Sequence, residues 1–465
     1  MPVEGVLDHT MRKPKGRLRE ALAISLPIMA SQFMIMVGGF LQSLMLSRVD
    51  QASFAAGLLI SSMQLSLVIV VFGMLYSISS LVGRIMGEGS QPERVGQLFV
   101  AGCAVALLVC LPTIALLYFI GPILLALGQS PALVELCTRF FRIYIWAVPA
   151  LGLVAVCVQL FLGTLKQGLV FLYSIANLLA SIGLGYLLIF GKLGLPAMGL
   201  DGLAWATLIT SWLAALIMIG FVLRHAGYKR YALLAFQWKS LKQNMGSITR
   251  IGAPISVQMG NELFSFALTT IMVGWLGVEE LNMQQVISRY LLMLVIPAVG
   301  LSQAATVVIS RQFGAGDFGE IKRTGRVYAA MGVAYAFVVL LMFTAAPNIF
   351  IRLFIEDLPE NAEMYRKLAI ILVLVAVGQL FDVVRNIVTG ALRGLQDTKF
   401  PMQVSIVTIW LVGAPLAYVM GFILHWGLIG IALANIVGMT LGCIILCWRW
   451  SHRLKDTARQ ASSIG

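Results

Sequence analysis

Twelve stretches of this sequence stay apolar for about twenty residues or more, enough for a helix to cross the hydrocarbon of a bilayer. They run near 20–47, 53–81, 95–121, 135–164, 168–191 and 201–224, then near 251–276, 280–310, 325–354, 365–392, 401–423 and 427–448. In hydrocarbon every backbone N–H and C=O must find its partner inside the protein, which leaves helices or a closed barrel. Segments of this length read as helices. A water-soluble alternative fails on composition: 59% of the 465 residues are hydrophobic and 11% charged, against about a quarter charged in a soluble chain. The sequence therefore predicts an all-α polytopic membrane protein with twelve transmembrane helices.

The two sets of six repeat one another. Pro27 of LPIMASQ and Pro254 of APISVQ lie 227 residues apart (254 − 27), and so do Gly87 of GEG and Gly314 of GAG, and Gly163 of GTLKQ and Gly390 of GALRG. Gly199 of MGLDGLAWA and Gly427 of WGLIGIALA are 228 apart. Six spans per repeat insert both repeats in the same sense. Two six-helix bundles are then related by a pseudo-twofold axis along the membrane normal, with a cleft between them. That plan suits alternating access, and a channel has no need of it. The expected units are an N-tail 1–19, an N-lobe 20–224, a basic linker 225–250 lying partly as an amphipathic helix on the membrane, a C-lobe 251–448 and a tail 449–465.

The formal charge of +13 does not call for a nucleic-acid partner, because Lys and Arg gather at the ends of apolar runs. The N-tail, the GEGSQPER loop, the linker, the GAGDFGEIKRTGR loop and the tail WRWSHRLKDTAR all fall on one side of the membrane, expected to be the cytoplasm. The opposite loops, such as GVEELN and IEDLPENAE, are sparse in basic residues or acidic. Both termini are expected on the cytoplasmic side, and the first span is expected to serve as the insertion signal because no cleavable one precedes it. The six cysteines (Cys103, Cys110, Cys137, Cys157, Cys443, Cys447) lie in apolar runs without metal or disulfide spacing. The four histidines (His9, His225, His425, His452) sit at loops or ends, and HExxH, GxSxG and GxxxxGK[ST] patterns are missing. Neither an enzyme nor direct ATP use is expected, and no cofactor or metal.

Charges inside spans need a reason. Glu262 stands near the middle of GAPISVQMGNELFSFALTTIMV, where a charge costs about 2.5 kcal/mol or more on insertion scales. Arg289 in QQVISRYLLM and Asp382 and Arg385 in FDVVRNIV are equally placed. Asp382 and Arg385 are three apart and share a helix face, and the four groups together nearly cancel. Two readings stand: a permanent structural ion-pair network, or a site where arginine and a cation compete for the carboxylates. Arg139 and Arg142, at the outer start of the fourth span, read as snorkelling interfacial groups. Pro27 and Pro254 are candidate hinges. Phe264, Phe266, Tyr290, Trp410 and Met36 are weaker candidates for contact with a planar drug, with packing or lipid contact as the alternative.

The proline-bearing first helix of each half, the Gly-x-Gly after the second helix, NLLASIGLGYLLIFGKLGLPAMGLDGLAWAT and ALRGLQDT together resemble the multidrug and toxic compound extrusion (MATE) transporters. The resemblance covers residues 18 to 450 and is most similar to the NorM-type bacterial branch. It implies a monomeric inner-membrane antiporter, driven by H⁺ or Na⁺, that exports bulky organic cations or zwitterions. It also implies that Glu262 and Asp382 form a cation site in the C-lobe, with Asn261, Ser265 and Gln284 as possible oxygen ligands. A carboxylate in a low-dielectric cavity disfavours its bare charge, so it holds a proton or a dehydrated Na⁺. One departure stands out. Many family members carry an aspartate on the first helix where this chain has Gln42, which cannot titrate; Asn177 matches a polar family position but lacks that acidic partner. Coupling is accordingly expected in the C-lobe. A lipid-linked oligosaccharide or polysaccharide flippase of the same superfamily is the alternative.

Overall fold

The computed structural model describes residues 14–89, 91–232, 238–345, 347–352 and 362–462, and among them every regular element is helical. The first half contains α1 (Pro14–Leu46), α2 (Gln51–Glu88), α3 (Glu93–Tyr118), α4 (Ile120–Ala126), α5 (Pro131–Tyr144), α6 (Val148–Gly163), α7 (Gln167–Phe190) and α8 (Gly199–Arg224). After the single turn α9 (Ala226–Lys229) come α10 (Trp238–Leu276), α11 (Val278–Gly314), α12 (Phe318–Ala345), α13 (Pro347–Arg352), α14 (Ala362–Gly394), α15 (Lys399–Val407), α16 (Ala414–Tyr418) and α17 (Gly427–Ser462).

Among the described residues nine helices are long and apolar enough to cross a membrane, or ten if α5 and α6, bent by 56° at their junction, form one span. The protein is a multi-pass membrane protein. That count is below the twelve expected, although α2 and α10 occupy the second and seventh apolar stretches with 38 and 39 residues. The bend falls where Pro149 stands at the start of α6 and brings no N–H to the helical ladder. In the eleventh stretch Pro415 lies between two π-helical segments, Thr408–Gly413 and Val419–Ile423. Pro27 and Pro254 both sit inside continuous helices.

Boundaries differ from the sequence reading at the polar segments. Only α9 lies wholly in the expected linker, whose end is the first three turns of α10. The basic tail continues α17 as helix to Ser462. The acidic stretch of IEDLPENAE and residues 1–13 of the N-tail lie outside the described residues.

Where the halves meet, their contacts obey the 227-residue offset. A Cβ on Gly73 of α2 would stand 2.9 Å from the Ser256 Cα of α10, and one on Gly300 of α11 would stand 3.1 Å from the Met29 Cα of α1. Gly300 is 73 + 227 and Ser256 is 29 + 227, so each contact is the other's image. Nearer the Gly-x-Gly turns, a Cβ on Gly87 would collide with the Arg311 carbonyl oxygen, and one on Gly314 with that of Arg84; 311 is 84 + 227. Gly83 faces Ser310, its own counterpart at the 227-residue offset. Such self-complementary pairing is what a twofold interface requires. The turns repeat too: Gly89 and Gly316 adopt φ of 68° and 71°, and Gly199 and Gly427 φ of 53° and 55°, which glycine reaches without strain.

Asp50 starts α2. Its carboxylate accepts the Ser53 N–H at 2.7 Å and the Ser53 hydroxyl at 2.7 Å, and the Ser53 amide holds it below the usual carboxylate range. A group with a lowered folded-state value stabilises above its unfolded value and loses that contribution as acid protonates it. Asp50→Ala is expected to remove about 1 kcal/mol of stability at neutral pH and little below the carboxylate range. Thermal unfolding of the purified variant at both pH values checks this; an equal shift at both would refute the capping role.

Candidate functional site

Two helices of the second half bring the site together. On α10, Gln258 and Glu262 are one turn apart; on α14, Asp382, Arg385, Asn386 and Arg393 recur at three, four and eleven residues and so share one side. Between these helices the Arg385 guanidinium bridges both carboxylates. Its Nε and Nη2 donate to Asp382 Oδ1 at 3.0 and 2.7 Å, and its Nη1 donates to Glu262 Oε1 at 2.9 Å. Gly442 of α17, without a side chain, leaves room beside the arginine, where a Cβ would meet Arg385 Cδ at 3.4 Å.

The second carboxylate oxygen of Asp382 accepts from Asn386 Nδ2 at 3.0 Å, and Asp382 is 5% exposed. Glu262 Oε1 also accepts from Gln258 Nε2 at 3.2 Å, and Gln258 Oε1 accepts from Arg393 Nη2 at 3.1 Å. The Arg393 carbonyl in turn accepts from the Ser80 hydroxyl of α2 at 2.8 Å. A continuous polar path therefore runs from Asp382 to the surface where the halves meet.

The charges balance, but not with the expected members. Glu262, Asp382 and Arg385 come together, and Arg393 joins them in the place expected for Arg289. Arg289 is exposed on α11, outside this cluster. Arg393 was legible only as part of ALRGLQDT, although its spacing of eleven from Asp382, three turns, put it on the same side. Asn261 lies near the cluster yet serves another contact: its Nδ2 donates to Ser405 Oγ at 2.9 Å and its Oδ1 accepts from Trp410 Nε1 at 2.7 Å. Gln284 is buried in α11, and Ser265 is half-buried on α10.

The remaining residues separate by helix face. Phe264 packs against Trp410 with ring centroids 5.6 Å apart and the rings tilted by 41°, whereas Phe266 lies on the side of α10 that carries Ser256 and Met259 towards Gly73. Met36 follows Met29 by seven residues, two turns, and shares the α1 side that meets Gly300. Tyr290 packs inside its half against Phe343 and Phe350, and its hydroxyl donates to the Phe350 carbonyl at 2.6 Å. Gln42 and Asn177 are half-buried on α1 and α7. In the first half, the counterparts of Glu262, Asp382 and Arg385 at 227 residues earlier are Ile35, Ala155 and Val158. The three charges thus have no charged counterparts in the first half. Arg139, exposed, pairs with Asp201.

Comparison with known proteins matches this architecture. The MatE family model fits residues 27–187 and 254–419, one segment in each half. A probable multidrug resistance protein NorM of Rhizobium meliloti (strain 1021) is 28% identical over 439 residues, covering 94% of both chains. A protein of the same description from Pseudomonas aeruginosa is 28% identical over 457 residues, covering 96% of this chain and 93% of its own. Among solved structures, one described as MATE in the bent conformation superposes with a TM-score of 0.86 at 16% identity, over 97% of this chain and all of that one. The matched segments, starting at Pro27 and at its counterpart Pro254, cover more than half of the sequence in the order of the repeat: the chain belongs to the MatE family.

Proposed function

We propose that this protein is a secondary active multidrug efflux transporter, not an enzyme, that exchanges H⁺ or Na⁺ for bulky organic cations or zwitterions by alternating access. In this reading twelve spans form two six-helix bundles in a bacterial inner membrane, the protein works as a monomer, and the Gly-x-Gly end and both termini face the cytoplasm. The names of the NorM relatives, probable multidrug resistance proteins, support multidrug efflux. The observation that carries the coupling site is the Arg385 guanidinium held between Glu262 and Asp382. A coupling ion competes with that guanidinium for the carboxylates, and the Gln258–Arg393–Ser80 path transmits the rearrangement to the contact between halves. An ion drives the change only by binding the two conformations unequally.

The test is uptake of ethidium into proteoliposomes under a Na⁺ gradient or a pH gradient, each imposed alone. One gradient is expected to drive uptake, and Glu262→Gln and Asp382→Asn are expected to abolish the drive while leaving passive binding. Intact gradient-driven uptake in both variants sinks the coupling assignment. No uptake by folded wild-type protein under either gradient moves the reading to the flippase.

A further inference from the structure

The cleft-facing sides of four helices follow from their contacts and the pitch of 3.6 residues per turn. On α11 the side that meets the other half carries Gly300 and Gly314. Arg289 precedes Gly300 by eleven residues, three turns, and Met293 precedes it by seven, two turns; both lie on that side and both are exposed. By the same spacing from Met29, Gly73 and Met259, the exposed residues Phe33 and Phe40 of α1, Ser62 and Ser66 of α2 and Phe266 of α10 face the same space.

Among the described residues Arg289 is the one charge on these four sides at span depth, and it has neither an ion pair nor a hydrogen bond. It stands eleven residues from the start of α11, about 16 Å along the axis, near the middle of a hydrocarbon layer about 30 Å thick. A guanidinium at that depth belongs in a water-filled cleft rather than against lipid. The carboxylates that would attract an organic cation are meanwhile held by Arg385, and both serine hydroxyls donate to their own helix, to Leu59 and Ser62 carbonyls. The cleft is an aromatic chamber with a single positive fork.

We propose that Arg289 is the anion-recognising element of the cleft and that the preferred compounds carry an acidic group, such as a carboxylate, on an aromatic body. This rests on the transporter reading and ranks zwitterions and organic acids above simple cations such as ethidium, which remain weaker substrates. The guanidinium presents paired N–H donors that match a carboxylate bidentately. Phe33, Phe40 and Phe266 offer ring faces, and the Met293 thioether adapts to varied outlines.

Equilibrium binding to the purified full-length protein tests it with three probes sharing one pyrene: pyrenebutyrate, its neutral amide and pyrenebutylamine. Wild type is expected to bind the acid about tenfold more tightly than the amide, a typical worth for a charge-assisted pair. Arg289→Gln should erase that ratio and leave amide binding unchanged, and Arg289→Lys should restore part of it. Equal binding of acid and amide by wild type, a preference for the amine, or an unchanged ratio in Arg289→Gln would overturn the proposal. Because binding needs no gradient, acid selectivity without driven transport would sustain this inference while defeating the antiport reading.

Discussion

Arg385→Gln is expected to destabilise the protein by about 3–5 kcal/mol, the range found when one partner is removed from a buried ion pair, and added cation is expected to reverse the loss. The guanidinium side chain is 14% exposed, the Asp382 side chain 7% and the Glu262 side chain 33%, so water screens Glu262 in part and Asp382 little, which places the cost at the lower end of that range. Glutamine keeps a hydrogen-bond donor but leaves two carboxylates on neighbouring helices without their shared counter-charge. Arg393, linked to Glu262 through Gln258, offsets part of that charge, and uptake of a proton or a metal cation neutralises the rest. A cation that binds the folded variant and not the unfolded chain stabilises by RT ln(1 + [L]/Kd), so the melting temperature of Arg385→Gln should climb with Na⁺ or as pH falls. Wild type should respond far less, its place being held by the resident arginine. Adding Glu262→Gln should recover part of the stability, since one carboxylate then remains opposite Arg393 instead of two, and the two changes should be non-additive. Identical responses of wild type and variant to Na⁺ and acid would show that Arg385 is not the counter-ion of this site.

How much of this was legible beforehand depended on helix phase. The apolar stretches located the helices because lipid imposes one length, and the pair Asp382–Arg385 followed from a spacing of three within one helix. Partners on different helices were less accessible. Arg289 and Arg393 are both arginines within helices, and only the contacts of α11 and α14 show that one faces the cleft while the other meets Gln258. Neighbours in sequence even part company: Tyr290 is in the interior of its half while Arg289 is exposed. The ends of α10 and α17 were unreadable for a different reason. Hydropathy marks where a helix leaves the hydrocarbon, whereas hydrogen bonding carries it onward into basic sequence, and Arg449 and Arg453 of α17 both donate to the buried Asp397 at 3.0 and 2.7 Å. The repeat was legible as an offset between glycines, but their purpose emerged only once Gly87 and Gly314 were seen to touch opposite backbones.

That contact sets the second large effect, for Gly87→Val and Gly314→Val. In each case the new Cβ points at the carbonyl of an arginine on the facing helix, Arg311 or Arg84, and the Ala315 nitrogen lies 2.9 Å from the position on Gly87. Backbone cannot step aside as a flexible side chain can, so the halves must separate at this end. Overpacking costs about 1–3 kcal/mol, and at the upper end of that range the closed population falls by roughly two orders of magnitude. Turnover should fall accordingly, because the alternating-access cycle proposed above needs this end shut during part of it. Gly89→Ala and Gly316→Ala are the controls. These turn glycines have positive φ and open space where a Cβ would go, so each substitution strains only its own turn, by about 1 kcal/mol, and should leave closure intact. Spin labels on the exposed ends of α3 and α12, at Arg94 and Arg323, would read the separation directly. The two valine variants should give the same lengthened distance, since their clashes are equivalent at the 227-residue offset, and the two alanine variants the wild-type distance. A wild-type distance in either valine variant would mean that the Gly87–Arg311 and Gly314–Arg84 contacts do not hold this end closed.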